Sequence, residues 1–207
     1  MNKIIVAALW SVLSSAGFAW DLQPDASTVN FVSVKKDSIG EVHRFKQLQG
    51  SLDSKGAATL TIALASADTG VEIRDQRLRE MLFEVAQFPT ATFQAAIDPS
   101  VITALKVGQQ TVVAVKGELA LHGKTAPIAA DVIVTKLLDG RLSVISQKPL
   151  IVNAENFDLV AGVANLAEAA SLPAISTAVP VTFALLFTPG KAIPGIVPPA
   201  PSGLKAQ

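Results

Sequence analysis

The sequence predicts a mainly β protein, an antiparallel barrel of about eight strands with one or two short helices. Two observations support this prediction. Hydrophobic residues recur with a period of two in five separate stretches, as in strands with one buried face. Three further stretches raise the count to about eight, the number whose closed barrel is just wide enough for one slender ligand.

The strands follow one another along most of the chain. Alternation is clearest in residues 58–64, 91–97, 113–121, 128–134 and 179–187. Shorter stretches near 29–34, 41–52 and 142–152 complete the predicted set. One side of each strand is therefore expected to face the barrel interior.

A helix is predicted between the early and late strands. Thr69 and Glu72 have the spacing of a capping box, in which each side chain satisfies a backbone amide of the first turn. Apolar residues then recur at helical spacing until Pro89 ends the helix. A second, shorter helix is predicted at 165–172, inside an apolar connection that spans 157–175.

Both ends of the chain differ from the predicted barrel. Residues 1–19 have a positive start, an apolar run and small residues at a cleavage site, the pattern of a secretory signal peptide. Residues 189–207 are rich in Pro and Gly and predict a disordered tail. The folded domain is expected to span 20–188 and to lie in the periplasm, with release outside the cell as the weaker alternative.

The composition excludes several classes of protein. The 207 residues include 17 basic and 17 acidic side chains, two histidines and no cysteine. Disulfide frameworks and cysteine-based metal or catalytic sites are excluded by the missing cysteine. The balanced charge argues against a nucleic-acid partner, because such binding depends on neutralising phosphates. No metal site is expected from His43 and His122 alone, since structural sites usually have four ligands.

Several motifs in order resemble one known family. They are Thr69-Gly70, Arg74-Asp75, the segment FPTATF at 88–93 and the turn LALHG at 119–123. Together they resemble the YceI-like family of exported polyisoprenoid-binding proteins. The resemblance implies an extended lipocalin-like barrel whose tunnel holds a long isoprenoid, such as a polyprenyl phosphate or a quinone tail. No cofactor is expected beyond that ligand.

The predicted inward faces are independently suited to an apolar tunnel. They carry no charged residue and include small side chains that would leave volume unfilled. A long hydrocarbon in such a tunnel gains about 0.8 kcal/mol per buried methylene. The alternative is that large side chains fill the interior. The expected lining residues are Phe31, Phe93, Val115, Gly117, Leu119, Leu121, Val132, Phe183 and Leu185.

Three polar residues are candidates for contact with a lipid head group at the tunnel mouth. Arg74 and Asp75 could bind the head group, or they could form an ion pair that anchors the start of the helix. His122 lies in a predicted strand-to-strand turn, where a structural hydrogen bond is the alternative to ligand binding. No sequence motif joins Asp, His and Ser into a catalytic site, so no catalytic residues are expected.

Two functions are compatible with the sequence. The first is periplasmic binding, transport or storage of a long isoprenoid lipid without catalysis, with transient contact to a membrane or envelope partner. The second is an envelope interaction module with a side-chain-filled barrel. Lipid entry is expected to involve movement of 157–175, unless that segment is a permanently packed plug and entry lies near 69–89.

Overall fold

The computed structural model describes residues 20–190 as one continuous chain. The predicted signal peptide, 1–19, lies outside the described residues, and so does the predicted tail from residue 191 onward. The last strand includes Pro189, the first residue that the sequence assigned to the tail.

Within the described residues the architecture is one antiparallel sheet of twelve strands with a few short helices. The strands are β1 Trp20–Leu22, β2 Thr28–Lys35, β3 Ile39–Phe45, β4 Leu48–Leu52, β5 Ala57–Ala63, β6 Ala67–Asp68, β7 Thr90–Ala96, β8 Gln110–Leu121, β9 Lys124–Lys136, β10 Leu142–Ser146, β11 Leu150–Asn153 and β12 Ala178–Pro189. The α-helices are α1 Glu72–Arg77, α2 Pro99–Ala104 and α3 Val160–Ala169, and a π-helical turn, Leu78–Leu82, continues α1. Short 3-10 turns occur at Pro24–Ala26, Leu64–Ser66 and Ala154–Phe157.

The twelve strands follow eight paths around a closed barrel. Four paths are interrupted, so β1 and β2, β3 and β4, β5 and β6, and β10 and β11 each form one broken path. The order β1–β4–β5–β7–β8–β9–β10–β12 closes because β12 also pairs with β1, where Trp20 lies opposite Pro189. The predicted antiparallel barrel of about eight strands is confirmed.

The longest ladder joins β8 and β9 through a two-residue turn. His122 and Gly123 have φ values of 50° and 72°. A tight turn of this kind needs a positive φ at both central residues, which glycine adopts at no steric cost. Leu121 and Lys124 therefore pair directly, and one side of both strands faces inward.

The predicted capping box at the start of α1 is wrong. Val71 is the N-cap, and no side chain caps the helix there. The Thr69 amide and hydroxyl instead donate to Oδ1 of Asp75, at 2.8 Å and 2.6 Å. The Asp75 carboxylate thus holds the loop before the helix, because it lies within reach of both Thr69 donors. Glu72, the predicted capping partner, pairs with Arg79.

The other helices also differ from the prediction. α3 begins at Val160, five residues before the predicted start, and ends at Ala169. α2 was not predicted, although the side chain of Asp98 caps it by accepting from the Ser100 amide and Pro99 occupies its first turn. The signal was present, because Asp at the N-cap followed by Pro is typical of a helix start.

Candidate functional site

The barrel encloses a cavity of about 720 Å³. Its walls come from every long strand, and most of the alternating residues predicted to face inward line it. A volume of this size lies within the range of small-molecule sites. A side-chain-filled interior, the alternative considered from the sequence, is therefore not found in the described part of the chain.

The structure places eight of the nine predicted lining residues at the cavity surface. Most of them contribute apolar side chains from β7, β8, β9 and β12. The eight are Phe31, Phe93, Val115, Leu119, Leu121, Val132, Phe183 and Leu185.

Gly117 is the exception, and the prediction that it leaves open volume is wrong. It faces inward beside Ala95 on β7, but the Phe93 ring covers it. A Cβ built on Gly117 would lie 2.6 Å and 2.8 Å from two Phe93 ring carbons and 2.2 Å from the carbonyl oxygen of Gln94. The missing side chain therefore allows a close approach of β7 to β8 and does not line the cavity.

One end of the cavity is closed by α2. Ile102 on α2 and Leu105 directly after it are buried, at 5% and 7% exposure, in one apolar cluster with Leu52, Val134 and Leu142. Leu142 is only 1% exposed. This cluster forms an apolar floor to the cavity.

The charged lining residues lie together at the opposite end, which we call the mouth. They are Lys35, Glu41, Arg74 and Arg77. Lys35 Nζ lies 2.9 Å from one oxygen of Glu41, and Arg74 donates to the other at 3.0 Å. The hydrogen bond from Lys35, together with the charge of Arg74, lowers the pKa of Glu41. One carboxylate thus links the β2–β3 hairpin to α1.

The two neighbouring candidates for head-group contact have different roles. Arg74 lies at the mouth and bonds to Glu41, whereas Asp75 is buried and outside the cavity lining, bonded to Thr69. The predicted ion pair between Arg74 and Asp75 does not form. Each anchors α1 separately, and of the two only Arg74 can be reached from the cavity.

His122 lies outside the cavity lining. Its Nδ1 donates to the carbonyl of Phe157 at 3.2 Å, and its ring packs on Phe88 with centroids 4.5 Å apart. These contacts fit the structural hydrogen bond considered from the sequence. They tie the β8–β9 turn to the segment before α3.

His43 is a cavity residue that the sequence analysis did not select as a ligand contact. It is 4% exposed and lies opposite Phe31 in the β2–β3 ladder. Its Nε2 is 2.8 Å from Ser33 Oγ, whereas Nδ1 has no partner within residues 20–190. Burial lowers its pKa, and the positive charge of Arg74 acts in the same direction. Only the register of β2 and β3 could have revealed this placement.

Much of the segment 157–175 is packed against the barrel. Phe157 is fully buried, and α3 lies so close to the π-helical turn that a Cβ on Gly162 would be 3.0 Å from the Met81 carbonyl oxygen. The segment also contributes to the cavity wall, through Leu159, Val163 and Leu166 and then through 169–172 and 175–176. The close packing of Phe157 and Gly162 favours a plug for 157–167, and we expect any movement at the mouth in 169–176.

Two further findings concern residues 20–190. No helix there is both long and apolar enough to cross a membrane. No group of three or more His, Asp or Glu side chains in that range is arranged to hold a metal ion.

The chain is similar to known proteins in both sequence and structure. The model of the YceI-like domain matches residues 20–187. One similar solved structure is a polyisoprenoid binding domain from Saccharophagus degradans that is implicated in plant cell wall breakdown. It is 39% identical with a TM-score of 0.81, and the match covers 84% of this chain and 99% of that one. BcnA from Burkholderia cenocepacia is 22% identical with a TM-score of 0.60, over 81% of this chain and 100% of the other, and it shares the fold. No curated protein gives a significant match.

The family match begins at the first described strand and ends within the last one. It therefore spans the whole barrel and the cavity inside it. The chain belongs to the YceI-like domain family.

Proposed function

We propose that this protein binds a long isoprenoid lipid, of the polyprenyl or quinone type, in the barrel cavity. It carries or stores that lipid in the periplasm and performs no chemistry on it. The observation that supports this proposal most strongly is the apolar cavity of about 720 Å³, open at a charged mouth and floored by buried apolar residues.

The shape and chemistry of the cavity suit a long chain with a polar end. Its lining residues on β12 run from Val179 to Phe187, a path of ~26 Å at the usual rise of a strand. Each methylene buried there contributes about 0.8 kcal/mol to affinity. The charged groups at the mouth allow a polar head to stay near water while the tail is enclosed.

The similarity to the Saccharophagus degradans domain supports the choice of an isoprenoid, because that domain is described as binding polyisoprenoids. The signal-peptide pattern of residues 1–19 supports export. N-terminal sequencing of periplasmic protein should give Trp20 as the first residue, and protein that still begins at Met1 would contradict export.

The direct test of binding is to identify what the purified protein holds. Organic extraction followed by mass spectrometry should release an isoprenoid lipid in near-stoichiometric amount. A protein that contains no lipid, and takes none up from vesicles, would contradict the proposal.

A matched pair of variants tests whether the cavity is the binding site. Ala130 lines the cavity on β9, whereas its neighbour Ala129 points outward and is exposed. Ala130→Leu should reduce lipid uptake because the added side chain occupies cavity volume, and Ala129→Leu should leave uptake unchanged. Equal uptake by both variants would place the lipid elsewhere.

A further inference from the structure

One polar side chain stands out in the apolar part of the cavity wall. His43 is 4% exposed, and its ring lies 5.2 Å from that of Phe31. Glu41 at the mouth faces the same side of β3 two residues earlier, about 7 Å along the strand. His43 is therefore placed just inside the mouth, where the head and the first units of an enclosed lipid would meet.

Only half of the hydrogen-bonding capacity of this ring is used. Nε2 lies 2.8 Å from Ser33 Oγ, while Nδ1 is buried and has no partner within residues 20–190. Buried polar atoms in proteins are almost always satisfied, because leaving one unpaired is costly. An unpaired nitrogen in a ligand cavity points to a partner supplied by the ligand.

The contact with Ser33 indicates which nitrogen carries the proton. Burial lowers the pKa of His43, so the neutral ring with a single N–H is the form present near pH 7. Ser33 makes no other side-chain hydrogen bond in the described structure. If its hydroxyl donates to Nε2, both groups are satisfied and Nδ1 carries the hydrogen. The opposite tautomer would leave both the hydroxyl hydrogen and the Nδ1 lone pair unused.

We propose that the Nδ1–H of His43 donates a hydrogen bond to an oxygen on the head of the bound isoprenoid. This selects lipids that carry an acceptor oxygen next to the tail over plain hydrocarbons. The inference rests on the proposed function, because it assumes that the tail occupies the cavity. A quinone carbonyl and a prenyl phosphate are two sources of such an oxygen.

Two substitutions at His43 separate its nitrogens. In His43→Asn, the amide nitrogen is attached to Cγ as Nδ1 is, so a donor toward the ligand is kept and the contact with Ser33 is lost. In His43→Gln, the amide nitrogen approximates the position of Nε2, so the contact with Ser33 is kept and the donor at Nδ1 is lost. Both replacements are polar and similar in size.

The assay is competition for uptake. Protein is incubated with phosphatidylcholine vesicles that contain equal amounts of squalene and a quinone with an eight-unit isoprenoid tail, then repurified and extracted for mass spectrometry. A second series replaces the quinone with a polyprenyl phosphate. Wild type and His43→Asn should favour the oxygen-bearing lipid in at least one series, and His43→Gln should reduce that preference by about 2- to 10-fold.

The outcomes distinguish the two proposals. Preference for the quinone or for the phosphate identifies the source of the oxygen. Uptake of both lipids with the same ratio in wild type and His43→Gln would overturn the role of His43 and leave isoprenoid binding intact. No uptake of any lipid by wild type would overturn the proposed function itself.

A measurement on the unaltered protein provides a second test. Nitrogen-15 NMR of the histidine rings in lipid-free protein should show His43 protonated at Nδ1. Addition of the vesicles should then shift that nitrogen resonance. Protonation at Nε2 would overturn the proposal, whatever the behaviour of the variants.

Discussion

Replacement of Gly117 by alanine is expected to destabilise the barrel strongly, although it adds a single methyl group. The new Cβ would lie 2.2 Å from the carbonyl oxygen of Gln94 and within 2.8 Å of two ring carbons of Phe93. The ring can rotate away, but the carbonyl belongs to the β7–β8 ladder, so the strands must separate locally. We expect a loss of about 3 kcal/mol, the upper part of the range for overpacked interiors.

Urea unfolding measures this loss, and the chain offers a matched control. With a denaturant slope of about 2 kcal/mol/M, the midpoint of Gly117→Ala should fall by roughly 1.5 M. Gly40 also lies within a strand, but a Cβ there would meet only Val32 Cγ1, at 3.8 Å. Gly40→Ala should keep the wild-type midpoint or raise it slightly, since alanine has less backbone freedom to lose. Equal midpoints for the two variants would refute the close-approach argument.

Three further predictions follow from particular contacts. Asp75→Asn should lower the free energy of unfolding by about 1.5–3 kcal/mol, because the carboxylate that accepts both Thr69 donors loses its charge; chemical denaturation measures this, and an unchanged midpoint would contradict it. Burial depresses the pKa of His43 in the folded protein. In the unfolded chain the ring has the ordinary histidine pKa of about 6.5, so below that value the unfolded chain binds more protons than the folded protein. The free energy of unfolding should therefore fall as the pH drops from 7 through that value, and it should fall less steeply in His43→Gln between pH 7 and 5.5. Urea denaturation measures both, and the same pH dependence in the two proteins would show that His43 is not the group responsible. In hydrogen exchange, the lipid-free protein should exchange faster over 169–176 than the lipid-bound protein, with 157–167 protected in both; equal protection of 169–176 would argue against movement at the mouth.

The barrel could be predicted from the sequence because its signal is local. Residues such as Val113 and Val115, or Phe183 and Leu185, alternate in a way that fixes which side of a strand faces inward once the strand is recognised. The cavity wall follows from that alternation without any knowledge of strand order. This explains why most of the predicted lining residues lie where they were expected.

The failed predictions concern contacts between elements. Thr69 and Glu72 have the spacing of a capping box, but Thr69 donates to Asp75 instead. Spacing alone cannot show which of the two carboxylates accepts these hydrogen bonds. The sequence does not show that the Phe93 ring covers Gly117, so this glycine was expected to leave open volume in the cavity. The role of His43 depends on Ser33 lying across the β2–β3 ladder, a pairing that neither strand encodes by itself.

The closure of the barrel by its last strand sets an order of events during biosynthesis. β12 pairs with β1, and Thr188 donates to the carbonyl of Asp21, 167 positions away in the chain. A chain synthesised from its N-terminus cannot form these contacts until β12 has emerged. Contacts so distant in sequence also form slowly. The closed cavity therefore does not exist on a nascent chain that lacks β12, and any lipid it encloses is acquired after that strand has been made.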